Sequence, residues 1–111
     1  MGGVKGKNYV RNPYAYPGSW IVRSIWVHKV GGSNSGDYVE IGWCKGKSCC
    51  AEGGECIGEP PHFFAFWVGV GVPDEDMLGE APPWTTHTLN VVRRWDTTWR
   101  SWIDGQLRQE N

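Results

Sequence analysis

The sequence predicts an all-β protein built as an antiparallel β-sandwich, and three observations lead to that fold class. Short segments rich in β-branched and aromatic residues recur along the chain, separated by clusters of turn-forming residues. The 16 glycines and 7 prolines favour many turns over long helices. Apolar residues do not recur at the i, i+3, i+4 spacing of an amphipathic helix, apart from one short turn near residues 74–80.

The first 18 residues differ in composition from the rest of the chain. They are rich in Gly, Tyr, Pro and Lys, so we expect an N-terminal arm over residues 1–18 and a single β-sandwich domain over residues 19–111. The arm is either a loose tail or a segment that lies along a groove or a neighbouring chain. In the second case its tyrosines would make the contact, namely Tyr9, Tyr14 and Tyr16.

Beyond the arm, strand-like segments alternate with two long loops. A loop rich in Cys, Gly, Glu and Pro spans residues 44–61, and an acidic loop spans residues 73–83. Residues 62–72 are apolar on both faces, which predicts a central strand. The last segments predict a hairpin that continues through the tight turn Asp104-Gly105. The predicted strands are residues 19–30, 37–43, 62–72, 86–95, 97–105 and 106–111.

Glu40 is the one acid in the strand-like run of residues 38–43. Because side chains alternate along a strand, it shares a face with Tyr38 and Gly42, and the absent side chain of Gly42 would let a ligand approach the backbone. Two interpretations stand. Glu40 is either a solvent-facing strand acid or a functional carboxylate, acting in catalysis or in hydrogen bonding to a sugar.

The late segment THTLNVVRRWDTTWRSWIDGQL resembles the last strands of concanavalin-A-like sandwiches, the fold of laminin-G-like modules and laminarinase-type glycoside hydrolases. That resemblance implies a concanavalin-like or jelly-roll sandwich and no particular activity. The Glu-x-Asp-x-x-Glu strand motif of the laminarinase-type enzymes does not occur here. The residues that carry the resemblance are His87, Leu89, Val91, Trp102, Ile103, Asp104 and Gly105.

A second resemblance covers SIWVHKVGGSNSGDYVEIGWCKG and PHFFAFWV, which are similar to glutamic peptidases of the eqolisin and neprosin groups and to their secreted bacterial relatives. It implies that Glu40 stands where that family keeps its first catalytic residue. The mechanism also needs a second polar partner, usually a Glu on a later strand. The sequence ends at Asn111 before such a strand, so the resemblance implies a sandwich that is shortened or completed by another chain.

Four cysteines lie close together in the first loop: Cys44, Cys49, Cys50 and Cys56. We expect two disulfides, because the spacing lacks the paired knuckles of a zinc site and small secreted domains use disulfides as staples. Adjacent cysteines rarely bond each other, so Cys44 and Cys56 would pair with Cys49 and Cys50 in one of two arrangements. There are two alternatives to disulfides: a zinc site that includes His62, or four free thiols.

Eight tryptophans are the other unusual feature of the composition. Those at or beside loops, Trp84, Trp95 and Trp99, are expected to bind a ligand together with Tyr38 and Glu40. Those that alternate with apolar strand positions, Trp26, Trp43 and Trp67, are expected in the core. No cofactor is expected; calcium at Asp74, Asp76 and Glu80 is the alternative to a solvated acidic loop.

Charge and hydropathy narrow the classes of function. The net charge is -1 and no basic cluster is long, so nucleic acid is not an expected partner. No apolar run approaches the roughly 20 residues of a membrane span, and no signal peptide is seen. The scattered histidines, His28, His62 and His87, do not predict a catalytic triad. The cysteines favour an extracellular, secreted protein.

The leading interpretation is a non-catalytic binding module that recognises carbohydrate or a protein surface through Trp and Tyr side chains. One alternative is a partial glutamic-peptidase-like domain that uses Glu40. The other is a self-assembling structural subunit, a homo-oligomer in which the N-terminal arm contacts a neighbour through an unpaired sheet edge.

Overall fold

The computed structural model describes residues 2–28, 38–50, 54–56, 58–68, 74–93 and 99–110. Throughout these ranges the regular secondary structure is β-strand, without any helix, and the strand pairs are antiparallel. The predicted all-β, antiparallel fold class is therefore confirmed. The strands are β1 (Gly2–Tyr9), β2 (Trp20–His28), β3 (Tyr38–Gly46), β4 (His62–Val68), β5 (Asp74–Glu80), β6 (Thr86–Arg93), β7 (Trp99–Ile103) and β8 (Gln106–Glu110).

The strands form two four-stranded sheets, in the orders β1-β6-β7-β8 and β2-β3-β4-β5. Strands β2 to β5 follow one another as a meander, and β6 to β8 form a second meander that β1 joins at its open side. The predicted late hairpins are confirmed: Leu89 pairs with Ile103, and Ile103 pairs with Gln106 across the Asp104-Gly105 turn. Both turn residues have positive φ, 51° and 80°, as a two-residue hairpin turn of this hand requires.

The two sheets pack face to face around one apolar core. Alternation along each strand turns every second side chain inward. The indole of Trp43 lies in this core as predicted, and its Nε1–H donates to Asn8 Oδ1 at 3.2 Å and to the Tyr9 carbonyl at 3.1 Å. The buried members of the core are Val10, Val39, Ile41, Trp43, Phe63, Ala65, Ala81, Leu89, Val91 and Ile103.

The N-terminal segment is not a separate arm, which corrects the expected boundary at residue 18. Residues 2–9 form β1, which pairs with β6 along its whole length, and Val10 is fully buried and exchanges backbone hydrogen bonds with Trp84 and Thr85. Because lysine and glycine alternate in β1, its sequence lacks the apolar pattern that predicts a strand. Lys5 and Lys7 point to solvent, as suits an edge strand, while Val4 packs on the core.

The acidic loop expected over residues 73–83 is also wrong in part, because Asp74–Glu80 forms β5 beside β4. Strand β4 is apolar on both faces and lies inside its sheet, so its backbone groups need hydrogen-bond partners on both sides. The edge strand β5 supplies one set of partners through its backbone, whatever its side chains are, and charged side chains are common on edge strands. A register shift between Phe63 and Phe64 marks an irregularity in this pair.

Candidate functional site

The outer face of the sheet β2-β3-β4-β5 carries five aromatic residues, which we call the aromatic face: Trp20, Trp26, Tyr38, Phe64 and Phe66. The Tyr38 ring lies 5.1 Å from Trp26 and 6.0 Å from Phe66, measured between centroids. The Trp20 ring lies 6.2 Å from Phe64 in an edge-on arrangement. Phe64 is fully buried and Tyr38 and Phe66 are partly buried, so Trp20 and Trp26 are the exposed members of the face. Two exposed indoles on one sheet face make it a candidate binding surface.

Glu40 lies in the middle of the aromatic face. The strand register places it directly between Trp26 on β2 and Phe66 on β4. The residue is only 6% exposed, so the interpretation as a solvent-facing acid is wrong. Ser24 Oγ donates a hydrogen bond to Glu40 Oε2. Burial of a carboxylate is costly without such partners, so Ser24 and Glu40 form one structural unit beneath the rings.

The sequence predicted that Gly42 would open the backbone to a ligand, and this prediction is wrong. A side chain here would meet β2 itself: a Cβ atom would lie 2.6 Å from Ser24 Cα and closer still to the Arg23 carbonyl oxygen. Gly42 therefore allows strand β2 to approach β3 closely at the position of Ser24. This close approach holds Ser24 beside Glu40, two residues away on the same face of β3.

The four cysteines form two disulfides, Cys44–Cys49 and Cys50–Cys56, which is one of the two expected arrangements. Cys44 and Cys49 are fully buried in a second apolar cluster with Phe64. Because the four sulfurs are bonded in two pairs, no cysteine thiolate is left to bind zinc. His62 instead places Nδ1 2.8 Å from the Pro60 carbonyl oxygen.

Trp26 is 55% exposed on the aromatic face, although its apolar neighbours in the sequence predicted a core position. It shares its side of β2 with Ser24 and His28, and those two polar residues are the signal that marks this side as the outer one. Trp20, on the same side of β2, is 48% exposed. The side chain of Trp67 is outside the described part of the molecule.

The predicted ligand-binding residues do not all come together. Tyr38 and Glu40 share the aromatic face, but Trp84 lies beside Tyr9, with ring centroids 6.4 Å apart, in the turn that leads into β6. Trp84 is 63% exposed and has a φ of 66°. Trp99 is the first residue of β7, with its side chain outside the description. Trp95 lies outside the described residues altogether.

A hydrogen-bonded array that sequence reasoning missed joins β6 to the β7–β8 turn. His87 Nδ1 lies 2.6 Å from Asp104 Oδ2, and His87 Nε2 lies 2.7 Å from Thr85 Oγ1. Thr85 donates its hydroxyl proton to the Pro82 carbonyl, and Asp104 Oδ1 accepts from the Thr88 amide at 2.9 Å. The threonine hydroxyl is thus held within a turn, so the array fastens two turns together and does not present a nucleophile.

The pKa of the Asp104 carboxyl lies below its ordinary value because of this array. Burial acts to raise its pKa, but the hydrogen bonds from His87 and the Thr88 amide, with the charge of His87, outweigh burial and leave the pKa below its ordinary value. A carboxyl with a depressed folded-state pKa adds stability above its unfolded pKa, and that contribution is lost as the pH falls through the folded-state pKa.

We therefore expect Asp104→Asn to lower stability at neutral pH and to flatten the acid side of the stability profile. The asparagine still accepts from the Thr88 amide but carries no charge for His87. Urea unfolding between about pH 2 and pH 7 measures both effects. Glu59→Gln, at an exposed acid of the loop before β4, is the control. Equal acid-side slopes in the wild type and D104N would contradict the assignment.

Within the described ranges no helix is long and apolar enough to cross a membrane. In the same ranges no group of three or more His, Cys, Asp or Glu residues is placed to hold a metal ion. Asp76 and Glu80, two of the acids considered for calcium, lie in strand β5 rather than in a loop.

Fold and site together define the class: two packed antiparallel sheets, one of which presents an aromatic outer face around a buried glutamate bonded to a partly buried serine. Comparison of the chain with protein-family models, curated proteins and solved structures gave no match. The resemblances to concanavalin-like sandwiches and glutamic peptidases therefore stay predictions.

Proposed function

We propose that this chain is a non-catalytic, extracellular binding module that holds a saccharide on its aromatic face. The observation that carries the proposal is the exposure of two tryptophans on one side of β2, 48% for Trp20 and 55% for Trp26. An indole that is about half exposed on a sheet surface can stack against the apolar face of a sugar ring.

The spacing of these tryptophans favours an extended ligand. They stand six residues apart on one strand, and a rise of about 3.3 Å per residue separates them by about 20 Å. Tyr38 lies beside Trp26 with its ring tilted by 30° and extends the platform across to β3. A linear chain of sugar units suits such a row better than a single ring does.

Glu40 supports the platform in this proposal. The carboxylate is buried between Trp26 and Phe66 and is bonded to the Ser24 hydroxyl, so it holds β2 and β3 in register under the rings. The two disulfides support the extracellular assignment, because such bonds persist mainly in oxidising compartments.

The peptidase-like alternative would use the same Glu40. Among the described residues its hydrogen-bond partner is the Ser24 hydroxyl, whereas a pair of carboxyl groups with separated pKa values is the usual means of activating water for acid–base cleavage. The structural-subunit alternative loses its main support, because the segment expected to reach a neighbour supplies β1 to its own chain.

Trp26→Ala is expected to weaken saccharide binding at least about fivefold, since an aromatic residue at the centre of a binding surface typically carries more than about 1 kcal/mol. Glycan-array screening followed by calorimetry on the best ligand measures this. Trp84→Ala is the matched control, because Trp84 is similarly exposed but lies in the turn beside Tyr9. Its affinity should stay within about twofold of the wild type.

Three results would overturn the proposal. The first is the absence of any bound glycan, and the second is a loss of affinity in W84A equal to that in W26A. The third is hydrolysis of peptides between pH 2 and 7 that Glu40→Gln abolishes, which would establish the peptidase-like alternative.

A further inference from the structure

The other sheet carries a separate pocket on its outer face. The pocket has a volume of about 300 Å³ and lies on the sheet β1-β6-β7-β8, away from the aromatic face. Its lining residues are Lys5, Thr88, Asn90, Trp102 and Gly105. This volume is at the lower end of the range for small-molecule sites, about 300–1,000 Å³, which suits one sugar ring.

Three of these residues form a row across three strands. Lys5 on β1 pairs with Asn90 on β6, and Asn90 pairs with Trp102 on β7. Directly opposed residues have Cβ atoms about 5 Å apart, so the ammonium, the amide and the indole meet within one ligand length. Thr88 stands two residues before Asn90 and adds a hydroxyl on the same face.

The turn at the end of β7 leaves one side of the pocket open. Apart from Gly105 and its two chain neighbours, no atom of the described residues lies within 4 Å of the place where a side chain at Gly105 would begin, so a ligand has room beside this backbone. Asp104 precedes it, but its carboxylate is bonded to His87 and to the Thr88 amide. That carboxylate therefore already has hydrogen-bond partners other than Lys5.

The charge on this face favours an anion. Lys5 and Lys7 both point outward from β1 and are exposed. An exposed ammonium next to an amide and a hydroxyl offers a charged donor together with neutral hydrogen-bonding groups. The partly buried Trp102 ring gives a flat apolar wall beside them. Cation, amide and ring together match a sugar that carries an acid group.

We infer that this pocket binds the acidic unit of a saccharide, a hexuronate, with its ring against Trp102 and its carboxylate at Lys5. Asn90 and Thr88 bond to the ring hydroxyls. The inference is independent of the aromatic face, because the two surfaces belong to different sheets and share no residue.

Amide-resolved NMR titration with glucuronate, and with neutral glucose in parallel, tests the inference. Glucuronate should shift the signals of Thr88, Asn90 and the Trp102 indole, and bind at least about tenfold more tightly than glucose. Lys5→Gln should remove that preference, leaving glucose binding unchanged. Lys7→Gln is the matched control, on the same strand and face but outside the pocket lining.

Four outcomes would overturn the inference. They are equal binding of glucose and glucuronate, an equal effect of K5Q and K7Q, a response to sulfate that matches the response to glucuronate, and tighter binding of adenosine monophosphate, which would indicate a nucleotide site. Trp26→Ala should leave glucuronate binding intact. That result separates this pocket from the aromatic face, so either proposal can fail alone.

Discussion

Replacing Gly42 with alanine is expected to lower the free energy of unfolding by about 3 kcal/mol, the upper end of the usual cost of overpacking. The added methyl group would lie 2.6 Å from Ser24 Cα, closer than such atoms pack, and would press on the Arg23 carbonyl as well. These atoms belong to the backbone of β2 and do not rotate away as a side-chain tip would. The β2–β3 pairing must open locally, which also separates Ser24 from Glu40.

Gly6→Ala provides the matched control for this prediction. Gly6 lies in β1, and a Cβ there would meet Ile25 Cγ2 at 3.8 Å, an ordinary contact. Because alanine also restricts the unfolded chain, G6A should change stability by less than about 1 kcal/mol. Urea unfolding monitored by tryptophan fluorescence compares the two variants. Similar stabilities for G42A and G6A would show that β2 is not held as closely as described.

Removal of the Cys44–Cys49 disulfide is the second large effect that we expect. The double variant C44A/C49A should lose about 3–4 kcal/mol, of which roughly 2 kcal/mol comes from the freed loop and the rest from lost burial. Both sulfurs are fully buried against Phe64. Trp20 packs edge-on against the same phenylalanine, so its fluorescence should also report the change.

The double variant C50A/C56A separates the loop effect from packing. The two disulfides close loops of nearly equal length, with sequence separations of 5 and 6, but Cys50 and Cys56 are only partly buried. We expect a loss of about 2 kcal/mol from chain entropy alone. If C50A/C56A lost as much free energy of unfolding as C44A/C49A, or more, the Cys44–Cys49 pair would add no packing energy.

The sequence predicted the local features of the fold well. The late hairpins follow from alternating apolar residues and the Asp104-Gly105 turn, whose chemistry acts over a few residues. The core position of Trp43 follows from alternation with Val39 and Ile41 on one strand. The expectation of disulfides rests on cysteine spacing alone, and the structure contains them.

The edges of the sheets could not be predicted in this way. Strand β1 has a glycine and lysine composition typical of a tail, and β5 has an acidic composition typical of a loop. Both become strands because β6 and β4 offer unpaired backbone groups beside them. Such pairing depends on a partner far away in the sequence, and it places few demands on the side chains of an edge strand.

The candidate site shows the same division. Alternation along the chain determined that Tyr38 and Glu40 share one face and, with the turn residues, that the fold is all-β, while cysteine spacing predicted the disulfides. The tertiary structure decided which face turns outward, so it decided that Trp26 is exposed and that Glu40 is buried beside Ser24. It also joined Lys5, Asn90 and Trp102, from three separate strands, into one pocket. Alternation has the same period on both sides of a strand, so only packing between sheets distinguishes them.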